Sequence, residues 1–144
     1  ILHAGETAGA SSIRQALEVG DPLRIGHGVR CLEDADLVAG LRERQIPLEV
    51  CPTSNVCLGL VPDMFHHPLP RLLQENLFVT INSDDPALFS TSLIQEYTRI
   101  QQTFDYSISD LQKLMVNGVH ASFLSQERKS SLVQEIDILA AREN

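Results

Sequence analysis

Short β-like runs alternate with helical patterns through residues 1–82, and this alternation restricts the fold more than any other feature of the chain. The distance from one strand end to the next fits one strand, one helix and two loops. Consecutive βα units of this kind build a parallel sheet. The expected strands cover residues 1–3, 23–26, 47–51 and 78–82.

Helical patterns fill most of the remaining chain. After the fourth strand the chain is predicted to be helical throughout, ending in an amphipathic stretch over 132–140. The other expected helices cover residues 12–20, 33–43, 70–74, 92–103 and 109–119.

Two local patterns refine these boundaries. Ser12 with Gln15, and Ser109 with Gln112, have the spacing of helix capping boxes. The segment 52–70 contains four prolines and is too long for a tight connection. We therefore expect it to be a binding loop.

Polar residues follow each expected strand. They are His3, His27, the segment 51–55 and the pair Asp84 and Asp85. Because parallel strands bring their carboxyl ends to one edge, these groups are expected at one rim, as on the C-terminal face of a (β/α)8 barrel. A doubly wound nucleotide binder would instead need a Gly-rich G-x-G-x-x-G turn, which the sequence lacks.

The predicted fold class is therefore α/β, the C-terminal part of a (β/α)8 TIM barrel, with about four βα units followed by C-terminal helices. Residues 1–144 would form a single partial domain. Because a functional His3 at the very start would have almost no strand behind it, we expect the chain to be part of a larger enzyme.

Composition excludes several classes of function. The chain has 11 Lys and Arg against 19 Asp and Glu, a net charge of −8, and its basic residues are scattered, which disfavours nucleic-acid binding. No apolar run approaches the roughly 20 residues that span a bilayer. Three cysteines without a C-x-x-C pair indicate neither a disulfide framework nor a cysteine zinc site, so a cytoplasmic location is expected. The oligomeric state stays open.

His3 and Glu6 have the chemistry of a metal-assisted hydrolase. A histidine at a strand end can bind a divalent ion, and Gly5 allows a sharp turn that returns Glu6 over the same site. The alternative is a partly exposed histidine and a solvated glutamate. His27 lies between two glycines, which suits either a functional site or an ordinary turn.

Asp84 and Asp85 are adjacent carboxylates at the end of a buried strand. They repel each other unless a cation or a hydrogen-bond donor compensates. Neighbouring side chains of an extended chain point in opposite directions, so one carboxylate can face a metal while the next faces a substrate. The alternative is an N-cap pair before Pro86 and a following helix.

The remaining candidates have plainer interpretations. His66 and His67 lie in the Pro-rich segment and are expected on the surface, and Cys51 and Cys57 are expected to be small apolar fillers. Ser54 has no base at an identifiable spacing, so a serine nucleophile is a weak hypothesis.

Taken together, four motifs resemble the adenosine deaminase family in order and spacing over essentially the whole chain. They are His3-Ala4-Gly5-Glu6, Gly26-His27-Gly28, Cys51-Pro52-Thr53-Ser54-Asn55 and Asn82-Ser83-Asp84-Asp85-Pro86. The resemblance implies a zinc-dependent (β/α)8 barrel of the amidohydrolase group that hydrolyses the 6-amino group of purines and releases ammonia. It also implies that this chain supplies the fifth to eighth strands, the C-terminal half of the barrel, and that the N-terminal half is absent.

The resemblance implies that His3 and Asp84 are zinc ligands, with one Zn²⁺ bound per full-length chain. The family binds zinc also through a His-x-His pair on its first strand, and no such pair occurs here. We therefore expect residues 1–144 alone to bind metal weakly and to be inactive.

The same resemblance implies the catalytic roles. Glu6 would protonate the purine ring nitrogen N1, and His27 would accept the proton of the attacking water. Asp85 would hydrogen-bond the imidazole edge of the purine, and Gly5 would also lie against the substrate.

Adenosine or 2′-deoxyadenosine is the expected small-molecule substrate. Adenine and aminodeoxyfutalosine present the same 6-amino group and stay as alternatives. A cyclic amide or ester is a further alternative, although no lysine lies near a strand end to support the two-metal form of such a hydrolase. A non-catalytic half-barrel that acts as a binding or assembly module is the alternative from another class.

Overall fold

The predicted repetition of βα units is confirmed by a computed structural model, which describes residues 1–142. Four parallel strands form one sheet in sequence order, β1 to β4. Their bounds are Leu2–Ala4, Ile25–His27, Leu48–Val50 and Val79–Ile81. Each lies within one or two residues of the predicted strand.

Seven α-helices connect and follow the strands in the described part of the chain. They are α1 Ala10–Gly20, α2 Ala35–Arg44, α3 Pro52–Cys57, α4 Leu69–Gln74, α5 Leu93–Phe104, α6 Ile108–Ala121 and α7 Gln126–Ala140. Short 3₁₀ helices cover Val29–Glu33 and Met64–His66. None of the helices within residues 1–142 is long and apolar enough to cross a membrane.

The strands bury one face against the helices. Ile25, Leu48 and Val79 are in register on neighbouring strands and are fully buried. They pack in a core with apolar residues of the helices, among them Ile13, Leu41, Leu72, Ile100 and Leu114. Because side chains alternate along a strand, the next register row faces the other way. That row consists of His3, Gly26, Glu49 and Thr80.

The predicted capping boxes are wrong. Helix α1 begins two residues before Ser12, and the Ser12 hydroxyl donates to the Gly9 carbonyl at 2.8 Å and accepts from the Gly5 N–H at 2.8 Å. Helix α6 is capped by Ser107, whose capping box uses Asp110. Helix α1 therefore has Gly9 as its N-cap, without a side-chain cap, and at α6 the capping pattern is met two residues earlier than predicted.

The segment 52–70 is not one continuous loop, because α3, the 3₁₀ helix Met64–His66 and the start of α4 lie within it and leave residues 58–63 as the main connection. Pro52 lies at the first position of α3, where its fixed φ suits a helix start. His67 is buried and not on the surface: the Leu69 N–H donates to its Nδ1 at 3.0 Å, and its Nε2 lies 3.0 Å from Asn55 Oδ1. Burial lowers the pKa of His67 to about 4, so the neutral ring donates through Nε2.

Candidate active site

Three of the predicted site residues, His3, Glu6 and Asp84, gather around His27 at the carboxyl end of the sheet. His27 ends β2 and its side chain is buried. Its Nε2 lies 3.5 Å from Glu6 Oε1 and 3.9 Å from Asp84 Oδ2. The ring centroids of His3 and His27 are 5.3 Å apart. One imidazole is therefore in reach of a glutamate from the β1 end and an aspartate from the β4 end.

The backbone at His27 adopts a left-handed conformation that residues other than glycine rarely take. His27 has φ +62°, and Gly28 follows with φ +69°. The Gly28 N–H donates to the Ala4 carbonyl at 2.9 Å, which fixes this turn to β1. Such left-handed residues cost free energy and are concentrated at functional sites. His27 Nδ1 is buried without a hydrogen-bond partner in residues 1–142.

Gly26, on the other side of His27, serves a different purpose. A Cβ atom at this position would lie 3.1 Å from the His3 ring. The missing side chain therefore lets the His3 imidazole lie directly against the backbone of β2. The two glycines that flank His27 therefore have different roles. Gly26 gives the His3 ring space against the backbone, and Gly28 adopts a left-handed φ.

Gly5 forms the sharp turn that was predicted between His3 and Glu6. Its φ is +67°, and an added Cβ would lie 2.3 Å from Ile13 Cδ1. Ile13 is fully buried in the core, so it has little room to move. The glycine therefore combines a left-handed torsion with a close contact, and Glu6 follows it directly.

We expect Gly5→Ala to lower the free energy of unfolding of the full-length protein by about 2 to 5 kcal/mol, because it adds a left-handed torsion cost to overpacking. Gly59→Ala is the matched control, since Gly59 has φ +72° and no described atom within 4 Å of the added Cβ. Gly59→Ala should lower the free energy of unfolding only by the cost of the left-handed torsion, about 1 to 2 kcal/mol. Chemical denaturation checks both values, and equal losses would show that the Ile13 contact costs nothing.

Asp84 and Asp85 make different contacts. Asp84 has φ +56°, and its Oδ2 accepts a 2.7 Å hydrogen bond from the hydroxyl of the buried Ser54. Asp85 is exposed, and its Oδ1 accepts from the Leu88 N–H at 2.9 Å. No helix begins at Pro86, so the N-cap interpretation of the pair is replaced by a turn. Ser54, which was considered only as a weak nucleophile, orients a carboxylate.

The donors around His27 suit a divalent metal. A ring nitrogen of His27, the Cys51 sulfur and an Asp84 oxygen all lie within 4.8 Å of one another, and this is the group of three such donors found in residues 1–142. His3, His27, Cys51 and Asp84 line a cavity of about 460 Å³. Imidazole and carboxylate are common zinc ligands, and the unpartnered His27 Nδ1 also favours a bound group.

Cys51 is the member of this group that the sequence did not predict. It is buried, and its sulfur donates to the Glu49 carbonyl at 3.4 Å. Burial, followed by the charge of Asp84, raises the pKa of the Cys51 thiol to about 12. The interpretation as an apolar filler accounts for its burial but not for its position beside two potential metal ligands.

Glu96 on α5 holds the start of α3 beside the site, and this role was not predicted from the sequence. It is fully buried, accepts from the Thr53 N–H at 3.0 Å and accepts from the Thr91 hydroxyl. Arg99 Nη1 donates to Thr53 Oγ1 at 2.6 Å. A signal was available in the sequence, because Glu96 shares a helix face with Leu93 and Ile100 and a carboxylate there requires partners.

The chain matches the adenosine deaminase family model over residues 1–139. It is 43% identical over 135 residues to an adenine deaminase of Rhizobium leguminosarum bv. trifolii, covering 94% of this chain and 42% of that protein. The chain thus spans about two fifths of the length of the curated relatives it matches.

Two solved structures have the same fold. The adenine deaminase from Arthrobacter aurescens is 40% identical with a TM-score of 0.95, and the match covers 97% of this chain and 43% of that one. An amidohydrolase from Burkholderia ambifaria with bound Zn is 27% identical with a TM-score of 0.85, covering 97% and 41%. The prediction of half of a (β/α)8 barrel is therefore confirmed.

Proposed function

The chain belongs to the adenosine deaminase family, and from this we propose that the full-length protein catalyses the hydrolytic deamination of a 6-aminopurine. The observation that carries the proposal is the position of His27, with Nε2 3.5 Å from Glu6 and 3.9 Å from Asp84. This reaction needs a proton donor and a proton acceptor close together, and the pair Glu6 and His27 supplies both.

His3 and Asp84 would hold a zinc ion in the full-length protein. When bound, such an ion acts as a Lewis acid and makes water acidic near neutral pH. Ser54 supports this role, since its hydroxyl donates a hydrogen bond to Asp84 Oδ2 and fixes the orientation of the carboxylate. The close approach of His3 to Gly26 similarly limits the positions of the imidazole.

Glu6 and His27 would carry the two proton transfers. Addition of water to C6 disrupts the aromatic ring, and protonation of N1 by Glu6 makes that carbon electrophilic without building up negative charge on the ring. His27 would accept the proton that the attacking water loses. Its fixed backbone and buried ring keep Nε2 directed toward Glu6 and Asp84.

Asp85 and Gly5 would contact the substrate. The Asp85 carboxylate is exposed, with Oδ1 held by the Leu88 N–H. A carboxylate with one oxygen anchored can present the other to an N–H donor of the purine's five-membered ring. Gly5 lacks a side chain beside Glu6, which lets a flat ring approach the backbone.

We further propose adenine as the preferred substrate. The sequence alone favoured adenosine or 2′-deoxyadenosine, but the relatives at 43% and 40% identity are adenine deaminases. Ring protonation by Glu6 and water activation need only the base, so the residues described here act on adenine without contacts to a sugar.

We expect the zinc-loaded full-length protein to release ammonia from adenine with kcat/KM at least about a hundredfold above the value for adenosine. Adenosine, 2′-deoxyadenosine, aminodeoxyfutalosine and a cyclic amide are tested in parallel in a coupled ammonia assay. A higher kcat/KM for adenosine than for adenine would instead support adenosine as the preferred substrate, as the sequence alone indicated. Ammonia release from none of them would support the non-catalytic alternative.

A further inference from the structure

A second set of metal donors shares Asp84 with the proposed zinc site. It consists of a His27 ring nitrogen, the Cys51 sulfur and an Asp84 oxygen, all within 4.8 Å of one another. We propose that these three residues form an alternative site for a thiophilic divalent cation, occupied in place of the proposed zinc site because both use Asp84, and Cd²⁺ is the probe. His3 is outside this group, so the site differs in its donors from the one that His3 and Asp84 would form.

The fold brings the three donors together. His27 ends β2, Cys51 directly follows β3 and Asp84 lies after β4, so each donor comes from a different neighbouring strand. His27 and Cys51 are both buried, which limits the alternative positions of their side chains. The sheet holds His27 and the start of the segment after β3 holds Cys51, whereas Asp84 lies in a turn beyond β4 and is oriented by the hydrogen bond from the Ser54 hydroxyl at 2.7 Å.

The distances allow coordination after a small contraction. Zinc bond lengths of about 2.0 to 2.3 Å in a tetrahedral site separate the donor atoms by about 3.3 to 3.7 Å, and the longer bonds of the larger Cd²⁺ ion require less contraction. His27 Nε2 and Asp84 Oδ2 are already 3.9 Å apart. No pair in the group is wider than 4.8 Å, so each must close by at most about 1 Å, which small side-chain rotations can provide.

Binding replaces a proton by a metal ion. The thiol of Cys51 releases its proton to solvent, its hydrogen bond to the Glu49 carbonyl is lost, and a sulfur–metal bond forms. No electron transfer is involved. The resulting thiolate and the Asp84 carboxylate carry two negative charges, which match a divalent cation, and thiolate ligands favour soft ions over hard ones.

Such an ion would also affect catalysis. It would occupy the imidazole that the proposed deamination uses as proton acceptor, and it would compete for Asp84. This consequence rests on the proposed function, whereas the binding of the ion does not. Thiophilic cations should therefore inhibit the enzyme through Cys51.

Direct spectroscopy tests the site without any measurement of activity. The metal-free full-length protein is titrated with Cd²⁺ and followed by the sulfur-to-cadmium charge-transfer absorption and by ¹¹³Cd NMR. We expect the thiolate signature in the wild type and its loss in Cys51→Ser, where any Cd²⁺ that still binds, at the proposed zinc site, has no sulfur ligand. Cys57→Ser is the matched control, because Cys57 is exposed at the end of α3 and should leave the signature intact.

Two results would overturn the proposal. One is a wild-type protein that binds Cd²⁺ without a thiolate signature, which needs no variant at all. The other is a signature that persists in Cys51→Ser or disappears in Cys57→Ser. Cys51→Ala replaces Cys51→Ser if circular dichroism shows that the serine variant is unfolded.

Discussion

Glu6→Gln in the full-length protein is expected to lower kcat/KM for purine deamination by about 10²- to 10⁴-fold, the usual contribution of a general acid. Glutamine keeps the size and polarity of the side chain but has no acidic proton to give to the ring. Glu6 Oε1 lies 3.5 Å from His27 Nε2, so the amide can also contact the imidazole and the local structure should persist. We therefore expect kcat to fall while the free energy of unfolding stays close to that of the wild type.

Steady-state ammonia release and zinc content together check this prediction. Zinc content should be unchanged, because Glu6 is not among the proposed ligands. Glu18→Gln makes the same chemical change on the exposed side of α1 and should keep wild-type activity. If Glu6→Gln stays within about threefold of wild type, Glu6 is not the acid and the assignment of roles at this site is wrong.

The fold was largely predictable because its strands are short, buried and regularly spaced. Ile25, Leu48 and Val79 lie in short β-like runs that alternate with helical patterns, the spacing of βα units that build a covered parallel sheet, and polar residues mark where each run ends. Local boundaries were less predictable. Ser12 fits a capping box by spacing, yet its hydroxyl is used by the turn at Gly5, a contact that no local pattern encodes.

The gathering of the site residues follows from one physical rule. His3, His27 and Asp84 each lie at the carboxyl end of a strand or just after it, and parallel strands place those ends on one edge. The same rule places Cys51, which directly follows β3, at that edge, but it predicts neither the burial of Cys51 nor that of His67. Their burial depends on what α3 and α5 cover, and this is decided by tertiary packing rather than by neighbouring residues.

Glu96 links helix α5 to the site through hydrogen bonds at the start of α3. Its carboxylate accepts from the Thr53 N–H at the start of α3, and the next residue, Ser54, donates to Asp84. The position of a proposed metal ligand therefore depends on a carboxylate on a different helix. The pair of hydrogen bonds also explains why α3 can begin directly after β3 with buried polar residues.

Glu96→Ala is expected to lower the free energy of unfolding of the full-length protein by about 3 to 5 kcal/mol. It leaves the Thr53 N–H and the Thr91 hydroxyl without their acceptor and removes the carboxylate 3.8 Å from Arg99 Nη1. Urea denaturation measures the loss. Zinc affinity should fall as well, because α3 no longer holds Ser54 against Asp84.

Two variants separate the buried network from a general effect of removing a charge. Glu43→Ala removes an exposed glutamate of α2 and should change stability by less than about 0.5 kcal/mol. Glu96→Gln keeps one acceptor for the Thr53 N–H and should lose less than Glu96→Ala, because the Thr91 hydroxyl can accept from the new amide. If Glu96→Ala is no less stable than Glu43→Ala, the network does not hold α3, and the orientation of Asp84 depends on Ser54 alone.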